Sequence, residues 1–332
     1  MRRKRATPPA PLPQRRGVDP VRLRLPADGP WPSVRDFLVA RLTAVDPAAV
    51  DAMLDRREII GVDGPIAPDA PFAPDAYLWF YRELPEEVPV PFAIDVVHRD
   101  EHLVVVDKPH FLATTPRGRH VTQTALSRLR HGLGLPALSP AHRLDRLTAG
   151  LAMFTVRPAE RAAYQNLFRD RAVRKEYRAV APYDPAVALP RTVRSRIVKE
   201  RGVIAAQEVE GPPNSESRIE LLAHRDGLGH YRLLPATGRT HQLRLHMSGL
   251  GLAILDDPVY PVLLPDPAPD DFSRPLQLLA SVLEFTDPVT GAEHRFESRR
   301  TLAAWPGESS SARARPQGEN PRAGDATHSL PT

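Results

Sequence analysis

Tight turns between short apolar segments recur along the second half of this sequence, and they constrain the fold more than any other feature. The turn at Asp226–Gly229 lies between two apolar runs, and so does the turn at Thr286–Gly291. Turns of this kind join antiparallel neighbours in a sheet. Strand patterns also outnumber helical ones, so the sequence predicts a mixed α/β chain with a mainly antiparallel sheet rather than a doubly wound parallel one. The paired runs are Ile219–Leu222 with Tyr231–Leu234 and Leu276–Phe285 with His294–Glu297.

Helices are predicted where a capping residue or a proline precedes apolar positions at helical spacing. Two of these helices fall near the N-terminus, and three lie among the strands further along the chain. The predicted starts are Ser33, Asp46, Thr122, Pro158 and Thr240, and the third helix is predicted to end at Gly132 and Gly134.

The chain divides by composition into five segments. Residues 1–17 are basic and rich in proline, and residues 305–332 lack apolar anchors, so both are predicted to be disordered tails. Residues 18–85 form a small module of two helices and short extended pieces. A stiff proline-rich linker over 86–92 follows, because each proline fixes φ and biases the preceding residue away from helix. Residues 93–304 form the main domain.

The 332 residues include no cysteine, which excludes disulfides, thiolate nucleophiles and cysteine-based metal sites. Only four of the 45 basic residues are lysine, and the formal net charge of +5 is a mild indication of an anionic partner. No apolar run approaches the roughly 18 residues that a membrane helix needs, and no apolar segment follows the charged N-terminus. We therefore expect a cytoplasmic protein with no membrane partner and no metal.

The first polar cluster, Ser139–Gly150, places one carboxylate, Asp145, between Arg143 and Arg146. The flanking cations favour the ionised form of this carboxylate. Such a group serves equally well as an anionic nucleophile or as half of a structural ion pair, and the residues alone leave both interpretations open.

The second cluster crowds the start of a predicted helix with Arg239, His241, Gln242 and Arg244. The positive end of a helix also favours an anion there, so an anion-binding site and a solvated polar face both agree with the pattern. Phosphate-binding glycine loops and the G-x-S-x-G elbow are missing, which removes the usual support for nucleotide hydrolysis, nicotinamide chemistry and serine hydrolysis.

The third cluster lies in a segment with strand character, Arg174–Ala179. Lys175, Tyr177 and Ala179 share one face of this strand because successive side chains alternate. A tyrosine in that position either stacks on a nucleobase or packs in the core.

In order and rough spacing, these clusters resemble the motifs of the RluA family of pseudouridine synthases. The three motifs are His142–Leu151, Lys175–Ala179 and Gly238–His246, and two supporting segments are Asp107–Pro109 and Ile254–Tyr260. The resemblance covers residues 93–300. It implies isomerisation of uridine to pseudouridine in RNA, without a cofactor or metal. It also implies an α+β fold with a mixed, mostly antiparallel bent central sheet flanked by helices.

Carried over position by position, the resemblance implies three catalytic residues. Asp145 matches the family's nucleophilic aspartate, for which attack on C1′, attack on C6 and a glycal route all stay open. Arg244 matches the arginine that pairs with this aspartate, here expected as a buried pair. Tyr177 matches the tyrosine that stacks on the target base and is placed for proton removal at C5. Arg143 matches an arginine that replaces the flipped nucleotide in the stack. The other implied substrate contacts are His142, Leu144, Lys175, Arg239, His241 and Gln242.

The module at 18–85 resembles a degenerate S4 RNA-binding domain, which favours rRNA over tRNA as the substrate. We expect the enzyme to be monomeric. The sequence departs from the family at Asp256, usually glycine, and at Leu279, where histidine is common. Neither residue belongs to the implied catalytic trio.

Two alternatives belong to other functional classes. One is a catalytically silent RNA-binding protein of the same fold, which the intact Asp145, Tyr177 and Arg244 oppose. The other is a cofactor-free hydrolase or lyase that acts through Asp145. A glycosidase needs a second carboxylate as its acid partner, and none stands out near the motifs.

Overall fold

Two β-sheets organise the described part of the chain, which comprises residues 8–43, 45–82 and 86–306 of a computed structural model. The smaller sheet and two helices make up the N-terminal module. Its elements are β1 (Val21–Arg24), α1 (Val34–Arg41), α2 (Pro47–Asp55), β2 (Ile60–Gly61), β3 (Gly64–Pro65) and β4 (Tyr77–Phe80). The strand order is β1-β4-β2-β3. Ser33 and Asp46 cap the two helices through their side chains, as predicted.

Eleven strands form the larger sheet within residues 86–306, and three α-helices of the same region pack against it. In chain order the elements are β5 (Asp95–Arg99), β6 (Leu103–Lys108), α3 (Ala125–Leu133), β7 (Ser139–Pro140), β8 (Ala149–Thr155), α4 (Arg161–Arg169), β9 (Arg174–Pro182), β10 (Arg191–Val198), β11 (Gln207–Val209), β12 (Ser215–Arg225), β13 (Leu228–Pro235), α5 (Gln242–Gly249), β14 (Leu278–Thr286) and β15 (Glu293–Glu297).

The larger sheet has the order β11-β10-β12-β13-β9-β14-β8-β6-β5, with β7 on β8 and β15 on β14. Its described pairings are antiparallel except for the short parallel pairing of β14 with β8. Both predicted hairpins are present: β12 and β13 are joined at Asp226-Gly227, and β14 pairs with β15. The predicted mixed, mostly antiparallel α+β fold is confirmed.

The helices cover the sheet on both faces, which explains why the central strands β6 and β8 are buried along their whole length. Helix α3 packs Leu126 and Leu129 into one core, and α5 packs Leu243 and Met247 into a neighbouring core. Helix α4 contributes Tyr164 to a core built on other residues of β6 and β8. The side chains between the first two cores line the functional site described below.

The predicted boundaries of the third helix were wrong by a few residues. Thr124 rather than Thr122 caps α3, because the Thr122 N–H and hydroxyl both donate to the Glu87 carboxylate. Gly132 lies inside the helix, and Gly134 alone ends it in the left-handed conformation at φ +66°.

The segment before the N-terminal module is not the disordered tail that its composition predicts. Residues 8–17 pass between the module and the end of α3. The Tyr81 hydroxyl of the module donates a hydrogen bond to the Pro13 carbonyl, and the Gln14 amide donates to the Pro136 carbonyl. Contacts on both sides therefore define the path of a segment that has few apolar residues.

The predicted C-terminal tail also begins later than expected. Trp305 belongs to that tail by prediction, yet its ring packs under the guanidinium of Arg225, 4.1 Å from it. The rest of the two predicted tails, residues 1–7 and 307–332, lies outside the described residues.

Candidate active site

All ten site residues predicted from the sequence line a single cavity of about 800 Å³. The cavity lies where the two cores meet, because Tyr177 packs against both of them. The first motif reaches it as the loop before β8, the second as strand β9 and the third as the turn into α5. Residues more than ninety positions apart therefore share one wall.

Asp145 is presented by a loop that the protein holds at its backbone. The Thr114 hydroxyl donates to the Leu144 carbonyl and accepts from the Leu144 N–H, at 2.8 and 3.1 Å. The Asp145 side chain is 35% exposed, and it makes no hydrogen bond with the described residues. Its nearest cations are Arg244 Nη1 at 3.8 Å and His241 Nε2 at 3.9 Å, the latter charged only when protonated. The carboxylate therefore faces the cavity with free lone pairs.

The ion pair between Arg244 and Asp145 is longer and more exposed on the Asp145 side than the buried pair that we expected. Its Nε and Nη2 donate to the two oxygens of Asp257 at 2.7 and 2.6 Å, and only Nη1 is turned toward Asp145. Burial opposes the charge, but the hydrogen bonds to Asp257 raise the pKa of Arg244. Asp257 is the preferred partner because it is fully buried and also accepts the N–H groups of Val259 and Tyr260.

Tyr177 brings an aromatic ring to the wall of the cavity. Its hydroxyl makes no hydrogen bond within the described residues, and burial together with the negative charge of Asp145 raises its pKa. The phenol therefore stays neutral. Lys175 and Ala179 lie on the same face of β9, as the alternation predicts.

Several side chains that were predicted to contact the substrate instead form hydrogen bonds within the protein. The Gln242 amide donates to Glu216 and Ser217 and accepts from Thr237 and the Arg239 N–H, so its four hydrogen bonds are internal. These bonds tie the turn into α5 to strand β12.

His142 has a similar internal role. Its Nε2 accepts the Met153 N–H at 3.1 Å, and its ring stacks on Phe168 at 4.2 Å. Burial lowers its pKa to about 3, so the imidazole is neutral. Lys175 Nζ donates to the Thr237 carbonyl at 3.3 Å. These side chains shape the cavity wall.

Arg143 is the contrasting case among the predicted contacts. It is exposed at the rim of the cavity, and it makes no ion pair or hydrogen bond with the described residues. Arg239 is also exposed, and the one hydrogen bond of its side chain with the described residues goes to the Asn214 carbonyl, at 3.2 Å. Arg117 and Arg146 line the same cavity, so the rim is basic. A basic rim attracts the phosphates of a nucleic acid.

Helix α5 starts one residue later than predicted, and this puts His241 in an unusual position. His241 rather than Thr240 precedes the helix, with φ +58° and no side-chain cap. A residue other than glycine is uncommon in this left-handed region. The His241 Nδ1 lies 3.0 Å from the hydroxyl of Tyr260.

Lys108 is a buried titratable residue near the site, and the sequence analysis assigned it no role. It is fully buried at the end of β6, and its ammonium donates to the carbonyls of Pro109, Leu112 and Arg146. Burial lowers its pKa to about 7, and the charge of Asp145 opposes that shift. The feature of the sequence that could have drawn attention to Lys108 is its place at the end of a strand of apolar residues.

Asp257 and Tyr260 were quoted in the supporting segment Ile254–Tyr260, also without a role. The two departures from the family lie elsewhere: Asp256 pairs with Arg274, and Leu279 is buried in a core. Among the described residues there is no group of three or more acidic or histidine side chains that could hold a metal ion. None of the helices described for the chain is long and apolar enough to span a bilayer.

Comparison with known proteins identifies the class to which this fold and site belong. The family model described as RNA pseudouridylate synthase matches residues 102–249, which include all three motifs. The dual-specificity RNA pseudouridine synthase RluA of Haemophilus influenzae is 31% identical over 221 residues, covering 62% of this chain and 93% of that protein. RluA of Pasteurella multocida is 34% identical over 212 residues, covering 59% and 89%.

The chain belongs to the RluA family of RNA pseudouridine synthases. It is thus an isomerase that acts on uridine in RNA. Among solved structures, human RNA pseudouridylate synthase domain containing 4 is 25% identical, with a TM-score of 0.47 and coverage of 64% of this chain and 89% of that one.

Proposed function

We propose that Asp145 is the nucleophile of the reaction, that Arg244 orients it and that Tyr177 stacks on the target uracil. The observation that carries this proposal is the state of the Asp145 carboxylate. It faces the cavity without a hydrogen bond among the described residues and lies 3.8 Å from one guanidinium nitrogen. A positioned carboxylate of this kind can attack and later leave.

The reaction breaks the bond from C1′ to N1, forms one from C1′ to C5, and moves a proton from C5 to solvent while N1 gains one. The base must stay in the cavity while it turns, so an aromatic face against it is required. Tyr177 provides that face. Its raised pKa favours stacking by the neutral phenol over a role as the base at C5.

Arg143 supports base flipping from the rim. A uridine within a helix must leave its stack at a cost of a few kcal/mol, and a side chain that fills the gap offsets part of that cost. The Arg143 guanidinium is planar, exposed and free of partners in the described structure, which suits insertion between bases.

The substrate we propose is structured RNA, with rRNA preferred over tRNA, modified by a monomeric, cytoplasmic and cofactor-free enzyme. Residues 93–304 would be the catalytic domain, and the module at 18–85 an S4-like RNA-binding domain. Several arginines of this module and the segment before it support the second assignment, because they lack acidic partners among the described residues. They are Arg16, Arg22, Arg41 and Arg57.

The test is chemical mapping of pseudouridine after incubation of the protein with unmodified rRNA and tRNA transcripts and with total RNA from a strain lacking the gene. We expect new pseudouridine with the wild type and a loss of at least about 1000-fold in rate with Asp145→Asn. Equal activity of Asp145→Asn would refute the nucleophile. Absence of product in every RNA, despite binding, would favour the silent RNA-binding alternative.

Arg143→Ala separates flipping from chemistry. The variant should slow turnover on a folded RNA more than on a short unstructured one, because only the folded substrate has a stack to refill. A uniform loss on both substrates would contradict the flipping role.

A further inference from the structure

His241 is held by a tyrosine whose hydrogen bonds are all accounted for. The Tyr260 hydroxyl accepts the Ala206 N–H at 2.8 Å, donates to the Ala206 carbonyl at 2.9 Å and contacts His241 Nδ1 at 3.0 Å. A phenol has a single proton. The Ala206 carbonyl is buried and has no other hydrogen-bond donor among the described residues, so that proton is best placed on it.

This arrangement determines which nitrogen of His241 carries the proton. Since the Tyr260 proton points to Ala206, the contact to His241 requires Nδ1–H to be the donor. Nε2 of the neutral ring is then a bare acceptor. Burial lowers the pKa of His241, Asp145 opposes this shift and Arg244 reinforces it, which agrees with a neutral ring.

The bare nitrogen points toward the reactive carboxylate. His241 Nε2 lies 3.9 Å from Asp145 Oδ2, and both residues line the cavity. Neither atom has a hydrogen bond with the described residues. Two acceptors that face one space without a donor between them are suited to a substrate group that brings an O–H or N–H.

The substrate offers few donors in that space. Within an RNA strand the 3′ and 5′ oxygens are esterified, so the 2′-hydroxyl is the sugar's free donor. It lies on the carbon next to C1′, where the glycosidic bond breaks. The uracil N3–H lies across the ring from C6 and points away from a carboxylate that reaches C6 or C1′.

We infer that His241 Nε2 accepts a hydrogen bond from the 2′-hydroxyl of the target uridine, so that this residue recognises ribose at the reacting nucleotide. The inference rests on the proposed placement of the target ribose at Asp145. It makes His241 a specificity residue and Tyr260 the positioning residue that sets its tautomer.

A double-mutant cycle, in which one change is made in the protein and one in the RNA substrate, tests this contact. The substrates are two synthetic hairpin RNAs that carry the mapped target uridine either as ribose or as 2′-fluoro-2′-deoxyuridine, which lacks the donor. The loss of one such hydrogen bond should slow the wild type by about tenfold beyond the intrinsic effect of fluorine. His241→Asn tolerates the left-handed backbone but does not reach the ribose. We expect the rate of this variant on the ribose substrate to be about tenfold lower than that of the wild type. Its rates on the two substrates should then differ only by the intrinsic effect of fluorine.

Two variants guard against a purely structural explanation. His241→Gln carries an acceptor of similar reach and should restore part of the discrimination against fluorine. Arg239→Ala weakens the rim without touching the ribose, so it should slow both substrates and keep the wild-type ratio. If His241→Asn keeps the wild-type ratio between the two substrates, the inference is wrong.

Two measurements do not depend on turnover. The affinities of Asp145→Asn for the two RNAs should differ by about tenfold, and the difference should vanish in Asp145→Asn/His241→Asn. If that holds while Asp145→Asn keeps the wild-type activity, the proposed nucleophile fails and the ribose contact stands. Nitrogen NMR should show a proton on Nδ1 of His241, and a proton on Nε2 instead would overturn the inference.

Discussion

Arg244 lies between two carboxylates of unequal burial, and this inequality keeps the proposed nucleophile, Asp145, free of hydrogen bonds with the described residues. Asp257 is fully buried and takes two guanidinium nitrogens, whereas Asp145 is about one-third exposed and takes none within hydrogen-bond distance. If Arg244 were bound bidentately to Asp145, the lone pairs needed for attack would be occupied. Because Asp257 takes the hydrogen bonds of Arg244, the guanidinium acts on Asp145 through its positive charge and not through hydrogen bonds.

Asp257→Asn is expected to lower the free energy of unfolding by about 3–5 kcal/mol, because it leaves a buried guanidinium without its charge partner. Activity should fall as well, since Arg244 can then turn to Asp145. Asp256→Asn is the matched control: the neighbouring Asp256 pairs with a largely exposed Arg274, so its loss should cost no more than about 1 kcal/mol. Urea unfolding of both variants checks this, and equal stability losses would contradict it.

The buried Lys108 predicts a pH-dependent stability. Its pKa is lowered to about 7 in the folded protein, from 10.5 in the unfolded chain, so between these values the unfolded state binds more protons. The free energy of unfolding should therefore rise with pH above about 7, by at most about 1.4 kcal/mol per pH unit from this group. Below pH 7 both states are protonated and the contribution is constant.

Denaturant titrations at several values between pH 6 and 9 test the Lys108 prediction. The difference in stability between the wild type and Lys108→Met should change with pH above 7, because only the wild type carries the titrating lysine. Lys199→Met, which changes a partly exposed lysine, is the control and should follow the wild type. A pH-independent difference for Lys108→Met would show that the lysine stays charged throughout.

At the scale of elements, the parallel contact of β8 with β14 places the Asp145 loop beside β9. Gly150 makes it possible: it has φ +108°, and a Cβ there would lie 2.2 Å from the Ala280 carbonyl oxygen. Backbone atoms cannot yield as the end of a side chain can. Gly150, the glycine of the first motif, thus serves close packing rather than chemistry.

Two glycine substitutions should change the stability of the protein in opposite directions. Gly150→Ala should destabilise the protein by more than about 4 kcal/mol or prevent folding, because the new methyl group overlaps Ala280. Gly132→Ala, inside α3 with nothing within 4 Å, should stabilise it by about 0.5–1 kcal/mol, because alanine favours helix. Thermal unfolding of both variants is the measurement, and a loss of stability in Gly132→Ala would contradict the second half.

At the scale of the whole molecule, a single carboxylate ties the linker to the main domain. Glu87 accepts the N–H groups of Val121, Thr122 and Gln123 just before α3, together with the Thr122 hydroxyl. Burial opposes the shift, but these hydrogen bonds lower the pKa of Glu87. Their contribution to stability is therefore present above pH 4.5 and is lost as the pH falls through the lower value of the folded state.

Glu87→Gln should loosen this junction at neutral pH. We expect faster hydrogen exchange at the amides of residues 121–123 and a stability loss of about 1–2 kcal/mol, because a neutral amide accepts these bonds less well. Glu86→Gln, which changes an exposed neighbour, is the control and should leave exchange unaltered. Unchanged protection in Glu87→Gln would mean that the linker is held by other contacts.

The sequence by itself determined the hairpins, the caps at Ser33 and Asp46, and the residues that gather at the site. Turn and capping preferences act within a few residues, and for that reason they can be read locally. The motifs also resembled one family, and the ten residues they contain do line one cavity.

Only the tertiary structure decided which partner each of those residues has. Arg244 donates its hydrogen bonds to Asp257 rather than to Asp145, Gln242 is satisfied internally, and His241 contacts the hydroxyl of Tyr260. The path of residues 8–17 between module and main domain was likewise not predictable from their composition. These choices depend on burial and on neighbours from other elements of the fold, because a charged or polar group pairs wherever packing removes water. No local pattern in the chain carries that information.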